Sequence, residues 1–185
     1  MSKPGASPTL DGPPANAVDP PSSGDRLTRA FNEMRDELVS TLMYLLGDRD
    51  DAHDAAQEAF LKCWRGRDAL PDIVNLRAWI FRVGLNAAKD MQRSAWNRRA
   101  KPFAGDEAML IGRETTVAQA LEDREDVARL KTAILNLRLE EKEVFLLRQN
   151  GGLTYEEIAE IRHAPVGTVK TQMRTALQKL RKVLA

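Results

Sequence analysis

The chain predicts an all-α protein of two small helical domains, on three observations. Apolar residues recur at intervals of three and four from Arg26 onward, as they do on helices with one buried face. No stretch alternates apolar and polar residues long enough to propose a strand. A segment rich in glycine, proline and acids divides the periodic pattern, and 185 residues suffice for one domain or two small ones.

The first element expected is a tail. Six of the nine prolines fall in the first 25 residues, beside Gly5, Gly12 and Gly24. Too few large apolar groups are present there to offset the entropy of ordering, so residues 1–25 are expected to be disordered. A first helix carries the stripe Phe31, Met34, Leu38, Leu42 and Leu45 and stops at Gly47, which can take a left-handed conformation without a Cβ clash. A second, from about Asp51 to Arg65, places Ala52, Ala55, Ala56, Ala59, Phe60, Cys63 and Trp64 on one face, with Asp54, Gln57, Glu58 and Lys62 off it. Trp64 and Trp79 both sit on apolar stripes and are expected to pack in the core. Residues 66–75, with Gly66 and Pro71, read as a loop. A longer third helix follows, with Leu76, Trp79, Ile80, Val83, Ala87 and Met91.

From Lys101 to about Leu121 the periodicity weakens around Pro102, Gly105 and Gly112, which marks a flexible linker. Residues 102–126 hold seven acids against two arginines, a local charge of −5. The second domain opens with a helix bearing Val127, Leu130, Ile134 and Leu137. A short helix with Val144, Phe145 and Leu147 then ends at Asn150-Gly151-Gly152.

Thr154-Tyr155-Glu156-Glu157 is a capping box: the threonine oxygen accepts the amide of Glu157, whose carboxylate reaches back to the amide of Thr154. The short helix it starts, with Ile158, Ala159 and Ile161, is interrupted at Arg162-His163-Ala164-Pro165, because proline disfavours helix in the residue before it and suits the first turn of the next. Val166, Val169, Met173, Leu177, Leu180 and Leu184 give the final helix its apolar seam. Residues 166–185 hold five cations and no acid. A capping box, a tight turn and an acid-free amphipathic helix within about 30 residues form a helix-turn-helix, whose last helix suits phosphates and base edges.

Composition excludes other classes. The single Cys63 and two histidines make neither an internal disulfide nor a zinc or haem site. Cys63 is expected to be an inert core residue and His163 a solvent-facing turn residue. There is no glycine-rich phosphate loop, no Ser/His/Asp arrangement and no metal-ligand cluster, so neither a cofactor nor an enzyme active site is expected. The net charge is +1 and nothing approaches a membrane span or a secretory signal, which makes the cytoplasm the expected compartment.

The block Asp51 to Trp64 (DAHDAAQEAFLKCW) resembles the core-binding helix in region 2 of the extracytoplasmic-function sigma factors of bacterial RNA polymerase, within the sigma-70 family. Leu76 to Asp90 (LRAWIFRVGLNAAKD) is similar to the helix that follows in that region, and Leu153 to Leu180 to the helix-turn-helix of region 4. The three blocks stand in family order over about Arg26 to Val183. The resemblance implies residues 26–100 as region 2, 101–121 as linker and 122–185 as region 4.

It further implies a subunit that binds core polymerase and directs promoter recognition, DNA melting and initiation, the polymerase supplying the catalysis. Asp54, Gln57, Glu58 and Lys62 would meet the clamp coiled coil of the core enzyme, which an acidic, amide-bearing face suits better than it suits DNA. Asn86, Lys89, Arg93, Trp96, Arg98 and Arg99 would hold the melted downstream element, since residues 86–101 combine five cations, one acid and an aromatic. Residues 69–75 correspond by position to the family's base-pocket loop. Lys170, Thr171, Arg174 and Thr175 would face bases of the minus-35 element, with Arg181 and Lys182 on its phosphates. Gln172 and Thr175 depart from the arginines of many relatives. The linker's counterpart threads toward the catalytic cleft, and many relatives are held by an anti-sigma factor, so one is a possible partner. A free chain of this kind is expected to bind promoter DNA poorly. Two other readings compete: a sigma-like adaptor that binds a regulator instead of DNA, and a repressor using only the helix-turn-helix, which would leave the first two blocks unexplained.

Overall fold

The computed structural model describes residues 22–98 and 119–184, with side chains described for 22–94 and 126–183. The described residues form seven α-helices: α1 (Ser23–Leu46), α2 (Arg49–Arg65), α3 (Leu76–Arg98), α4 (Gln119–Leu135), α5 (Leu139–Gln149), α6 (Tyr155–Arg162) and α7 (Val166–Leu184). Among the described residues there is no strand. α1 to α3 form one helical domain and α4 to α7 a second.

The first helix begins earlier than the sequence suggests. Ser22 caps α1 in a capping box with Asp25 (Asp25 N to Ser22 Oγ, 3.2 Å; Ser22 N to Asp25 Oδ2, 3.2 Å). The last four residues assigned to the tail therefore belong to the fold; a serine followed three residues later by an acid is a cap signal even amid Ser and Gly. α1 ends at Gly47 in the left-handed region, φ +78°, and buries Leu27, Phe31, Met34, Leu38, Leu42 and Leu45.

Ala52, Ala55, Ala56, Ala59 and Cys63 form the buried face of α2, so this helix packs closely and has room for few large side chains beneath it. Trp64 is consequently displaced to the flank and is 38% exposed, contrary to the core position expected. It lies beside Phe60, centroids 6.0 Å apart, with the guanidinium of Arg67 4.8 Å from its ring centroid. Trp79 is half-buried and packs on the core. The segment after α2 is not a loop throughout: Arg67–Asp72 is a 3₁₀ helix that buries Leu70 and contains Pro71. Proline at this place is tolerated because a single short turn needs few amide donors. α3 buries Ile80, Phe81, Leu85 and Ala88, and Gly84 lets it approach α1, since a Cβ there would stand 2.8 Å from Leu38 Cδ1.

In the second domain α7 is the hub, packing on α4, α5 and α6 through Val169, Met173, Ala176 and Leu180. Val127, expected on the buried stripe of α4, is 48% exposed, while Ala133, Ile134 and Leu137 are buried. Leu130 and Ile134 keep the expected face and Leu137 reaches the core from the turn beyond the helix, so of this stripe Val127 alone is left uncovered. The capping box at Thr154 forms as expected. His163 ends α6 in the left-handed region, φ +50°, and is exposed at the turn.

The two domains touch through α1 and α3 on one side and α4, α5 and α6 on the other. Asn75 Oδ1 caps α3 by accepting the amide of Ala78 at 2.9 Å, and its Nδ2 donates to Glu157. The guanidinium of Arg77 donates to the carbonyls of Asn150 (2.9 Å) and Gly151. Asn150 Nδ2 donates to Thr41 Oγ1 at 3.2 Å, and Lys89 Nζ lies 3.0 Å from Glu143 Oε1.

Candidate nucleic-acid interface

Three surfaces collect the residues singled out in the sequence. On α2, Asp54 and Gln57 are exposed. Glu58 lies 4.0 Å from both Lys62 and Arg65, and Lys62 reaches Asp90 of α3 at 3.3 Å. Gln57 also borders a largely apolar groove of about 320 Å³ between α1 and α2, lined among others by Phe31, His53, Phe60 and Leu61. The face is thus a charged row beside an apolar groove, a combination that suits protein better than nucleic acid.

On α3, Asn86 and Arg93 are exposed, with Arg93 3.3 Å from Asp90. Lys89 is on the same helix but turned to Glu143 of the second domain. Trp96 and Arg98 belong to the last turns of α3, where side chains lie outside the described residues, as does Arg99 altogether.

On α7, Lys170 and Arg174 stand in solvent, with Lys170 Nζ 5.9 Å from the Tyr155 ring centroid. Thr171 Oγ1 donates to the Gly167 carbonyl at 2.9 Å and Thr175 Oγ1 to the Thr171 carbonyl at 3.0 Å. Both hydroxyl protons are spent within the helix, so these threonines offer only acceptor lone pairs to anything outside it. Arg181 and Lys182 are exposed and border, with Thr175 and Gln178, an open groove of about 550 Å³. Lys179 is not available: both oxygens of Glu141 hold its ammonium, at 2.7 and 2.8 Å. Gln172 accepts from Arg162, a contact that ties α6 to α7 within the motif.

Sequence reasoning missed Glu141 and Glu143. Both are buried, at 6% and 3% exposure. Glu143 Oε2 accepts from Arg162 Nε at 2.8 Å while its other oxygen faces Lys89. The signal was available: Glu143 precedes Leu146 and Leu147 by three and four residues, and an acid on an apolar stripe of that spacing must find a partner when buried. Arg77 was missed too, since its partners are backbone carbonyls distant in sequence.

The sigma-70 region 2 profile matches residues 30–98, and the sigma-70 region 4 profile matches residues 128–180. The chain belongs to the sigma-70 family. Its similarity to curated proteins falls within the extracytoplasmic-function group: the RNA polymerase sigma-H factor of Pseudomonas aeruginosa is 29% identical over 174 residues, covering 87% of this chain and 88% of that protein. SigW of Bacillus subtilis is also 29% identical, over 162 residues, covering 81% and 84%. In fold the chain is similar to RpoE from Bartonella quintana, solved with the anti-sigma factor NepR, with a TM-score of 0.72 at 21% identity over 86% of this chain and 96% of that one. CnrH, solved with the cytosolic domain of CnrY, gives a TM-score of 0.60 at 23% identity, covering 85% and 86%. As a member of this family the chain is a promoter-recognising sigma factor of RNA polymerase.

Two groups near these helices are shifted from their ordinary titration range. Burial pushes the Cys63 thiol up to about 12, leaving it protonated and unreactive under ordinary conditions. The Glu157 carboxyl lies below its usual range, chiefly through the hydrogen bond from the Thr154 amide and also through Asn75. A depressed folded value means that the ionised cap stabilises above the unfolded pKa, and that this is lost as pH falls through the folded value. Glu157→Ala is therefore expected to cost about 1 kcal/mol at pH 7, and the gap from wild type in urea midpoint to narrow as pH falls from the ordinary Glu value of about 4.3 through the lower folded value. Among the described residues no group of His, Cys, Asp and Glu is placed to hold a metal ion, and no helix is long and apolar enough to cross a membrane.

Proposed function

We propose that the α2 row of Asp54, Gln57, Glu58 and Lys62 docks on the clamp coiled coil of core RNA polymerase, with the neighbouring apolar groove completing the contact. Asn86, Lys89 and Arg93, with Trp96, Arg98 and Arg99 beyond them, hold the downstream element once it is melted, and α7 reads the minus-35 element through Lys170, Thr171, Arg174 and Thr175. Arg181 and Lys182 fix its phosphates. Residues 26–100 and 122–185 serve as the two binding units, with 101–121 as their tether. The chain contributes no catalytic chemistry; the polymerase makes the bonds.

The observation that carries this reading is the division of charge among three helices of one sigma chain: a row of mixed charge with exposed Asp54 and Gln57 beside an apolar groove on α2, cations on α3, and exposed cations with acceptor threonines on α7. A protein inhibitor covering the same surfaces is the second expected partner, by analogy with the complexes of RpoE with NepR and of CnrH with the CnrY cytosolic domain. The sigma-like adaptor loses its support, because Gln172 is engaged by Arg162 and Thr175 keeps a free acceptor.

The test is transcription reconstituted with core polymerase on a genomic promoter library. Initiation from a shared motif is expected. Arg174→Ala should weaken promoter use by about 1–3 kcal/mol and relax preference at the minus-35 position it faces, leaving the downstream motif unchanged. Core binding without initiation from any promoter would sink the reading.

A further inference from the structure

Three aromatic rings form a track across α1 and α2. Phe31 meets Phe60 edge to face with centroids 5.0 Å apart, and Phe60 lies 6.0 Å from Trp64. Trp64 and its neighbour Leu61 are 38% and 45% exposed, so the track is open to a ligand. One end of it lies where α1 begins: a Cβ on Gly24 would stand 2.9 Å from Trp64 Cη2, which places the first turn of α1 against that ring. From there the groove of about 320 Å³ runs along α1 past Phe31 to Arg35. Its floor is apolar, its rim carries the exposed Asn32, Arg35 and Gln57, and no acid lines it.

Aromatic rings under a rim of hydrogen-bond donors suit a polyproline II segment. Such a segment makes no internal hydrogen bonds, so its carbonyls take donors from outside, and proline offers no amide in return. This chain carries a segment of that composition joined to the end of the groove. Residues 1–21 lie outside the described residues and hold six prolines, at positions 4, 8, 13, 14, 20 and 21. They join the fold at Ser22, whose φ −57° and ψ 158° are near polyproline II values. Along a helix the span from Ser22 to Phe31 is about 14 Å, and to Arg35 about 20 Å. The stretch from Ser22 back to Pro14 extends about 25 Å at about 3.1 Å per residue, which reaches the groove with slack for the reversal of direction. Asp11 then falls toward Arg35, an acid for the cation of the rim.

We propose that the proline-rich segment of residues 8–21 seats over Trp64 and in the α1–α2 groove, and that it leaves when core polymerase docks. The second half of the proposal rests on the core-docking reading above, in which the groove completes the contact of the α2 row. A tethered ligand and a partner then compete for one surface. A tether this short holds the segment at an effective concentration on the order of 1 mM. A seat with an intrinsic dissociation constant of about 0.1–1 mM is then filled about half to nine-tenths of the time, and core affinity falls by about two- to tenfold.

The experiment uses the full chain with Leu61, which lines the groove, replaced by the photo-reactive p-benzoylphenylalanine. Irradiation of the dilute protein should join position 61 to a residue between 8 and 21, located by fragmentation of the cross-linked peptide. Mixing with an isotope-labelled chain separates products within one chain from products between two. No product in the segment, or a product only between chains, overturns the seat. The combined change Pro8→Ser, Pro13→Ser, Pro14→Ser, Pro20→Ser and Pro21→Ser should abolish the product, since serine keeps the length but not the polyproline II preference. A product of equal yield from that variant also overturns the seat.

The second arm reads core binding without the photo-reactive residue. The five-proline variant should bind core polymerase about two- to tenfold more tightly than wild type, and a peptide of residues 1–21 added at about 1 mM should remove that gain. Unchanged core affinity overturns the competition, provided that Glu58→Lys abolishes core binding and so confirms α2 as the docking surface. If Glu58→Lys binds core as wild type does, the docking reading fails instead, and the cross-link alone still decides whether the segment occupies the groove.

Discussion

Glu58→Lys is expected to abolish assembly with core polymerase while leaving the chain folded. Glu58 sits midway between Lys62 and Arg65, at 4.0 Å from each, with its side chain 43% exposed. The pairs are exposed and contribute little to folding, so a denaturation midpoint should move little. The effect on the interface is different. Reversal places three cations in a row where an acidic face is proposed to meet a basic partner, and like charges brought together at an interface cost several kcal/mol. At on the order of 3 kcal/mol the dissociation constant rises roughly a hundredfold or more, measurable by co-elution or by anisotropy of labelled sigma on core enzyme. Binding within a factor of three of wild type would remove α2 from the core interface. Affinity of the isolated chain for double-stranded DNA should be unchanged, because α7 is untouched.

Glu143→Ala is expected to have the largest effect on stability. Arg162 is nearly buried, its side chain 9% exposed, and Glu143 is its charged partner at 2.8 Å. Removing the acid strands a guanidinium whose other polar contact is the neutral Gln172. Breaking a buried pair in this way costs about 3–5 kcal/mol, far more than the pair is worth against an apolar replacement. The urea midpoint of the second domain should fall accordingly, and minus-35 binding with it, since Arg162 ties α6 to α7. The double change Glu143→Leu with Arg162→Met should recover most of the loss. Failure of the single change to destabilise would mean that the Arg162 guanidinium finds solvent, and that the acid has no part in orienting the helix-turn-helix.

Much of this architecture is written in local sequence. The stripe ending at Gly47, the capping box at Thr154 and the break at Pro165 each act within a few residues, where backbone sterics and one or two hydrogen bonds decide the outcome. Cys63 falls where its neighbours' helical spacing puts it, at 0% exposure. The start of α1 was equally legible, but the serine-to-aspartate cap was hidden by tail-like composition. The errors have a common cause. Trp64 is apolar and correctly spaced, yet whether a large residue is covered depends on how near the next helix comes, and the alanines beneath α2 draw that helix in. Val127 fails likewise, because whether its side chain is covered is decided by how α4 packs on α7.

The same division holds for the candidate surfaces. Sequence alone determines that this chain is a sigma factor with acids along its second helix, a cation-rich region 2 helix after it and an acid-free basic last helix, because composition along a helix face follows from spacing and needs no partner. Tertiary structure alone decides which charges remain free. Lys89 reads as a nucleic-acid cation and Lys179 counts among the five cations of the last helix, but Glu143 and Glu141, carried by another helix, hold them; Lys170, Arg174, Arg181 and Lys182 stay in solvent. Arg77, unremarkable in the sequence, becomes a tie between the domains because the carbonyls it meets lie more than seventy residues away. A charge can be read from one residue, but its availability depends on what the fold brings within about 4 Å of it.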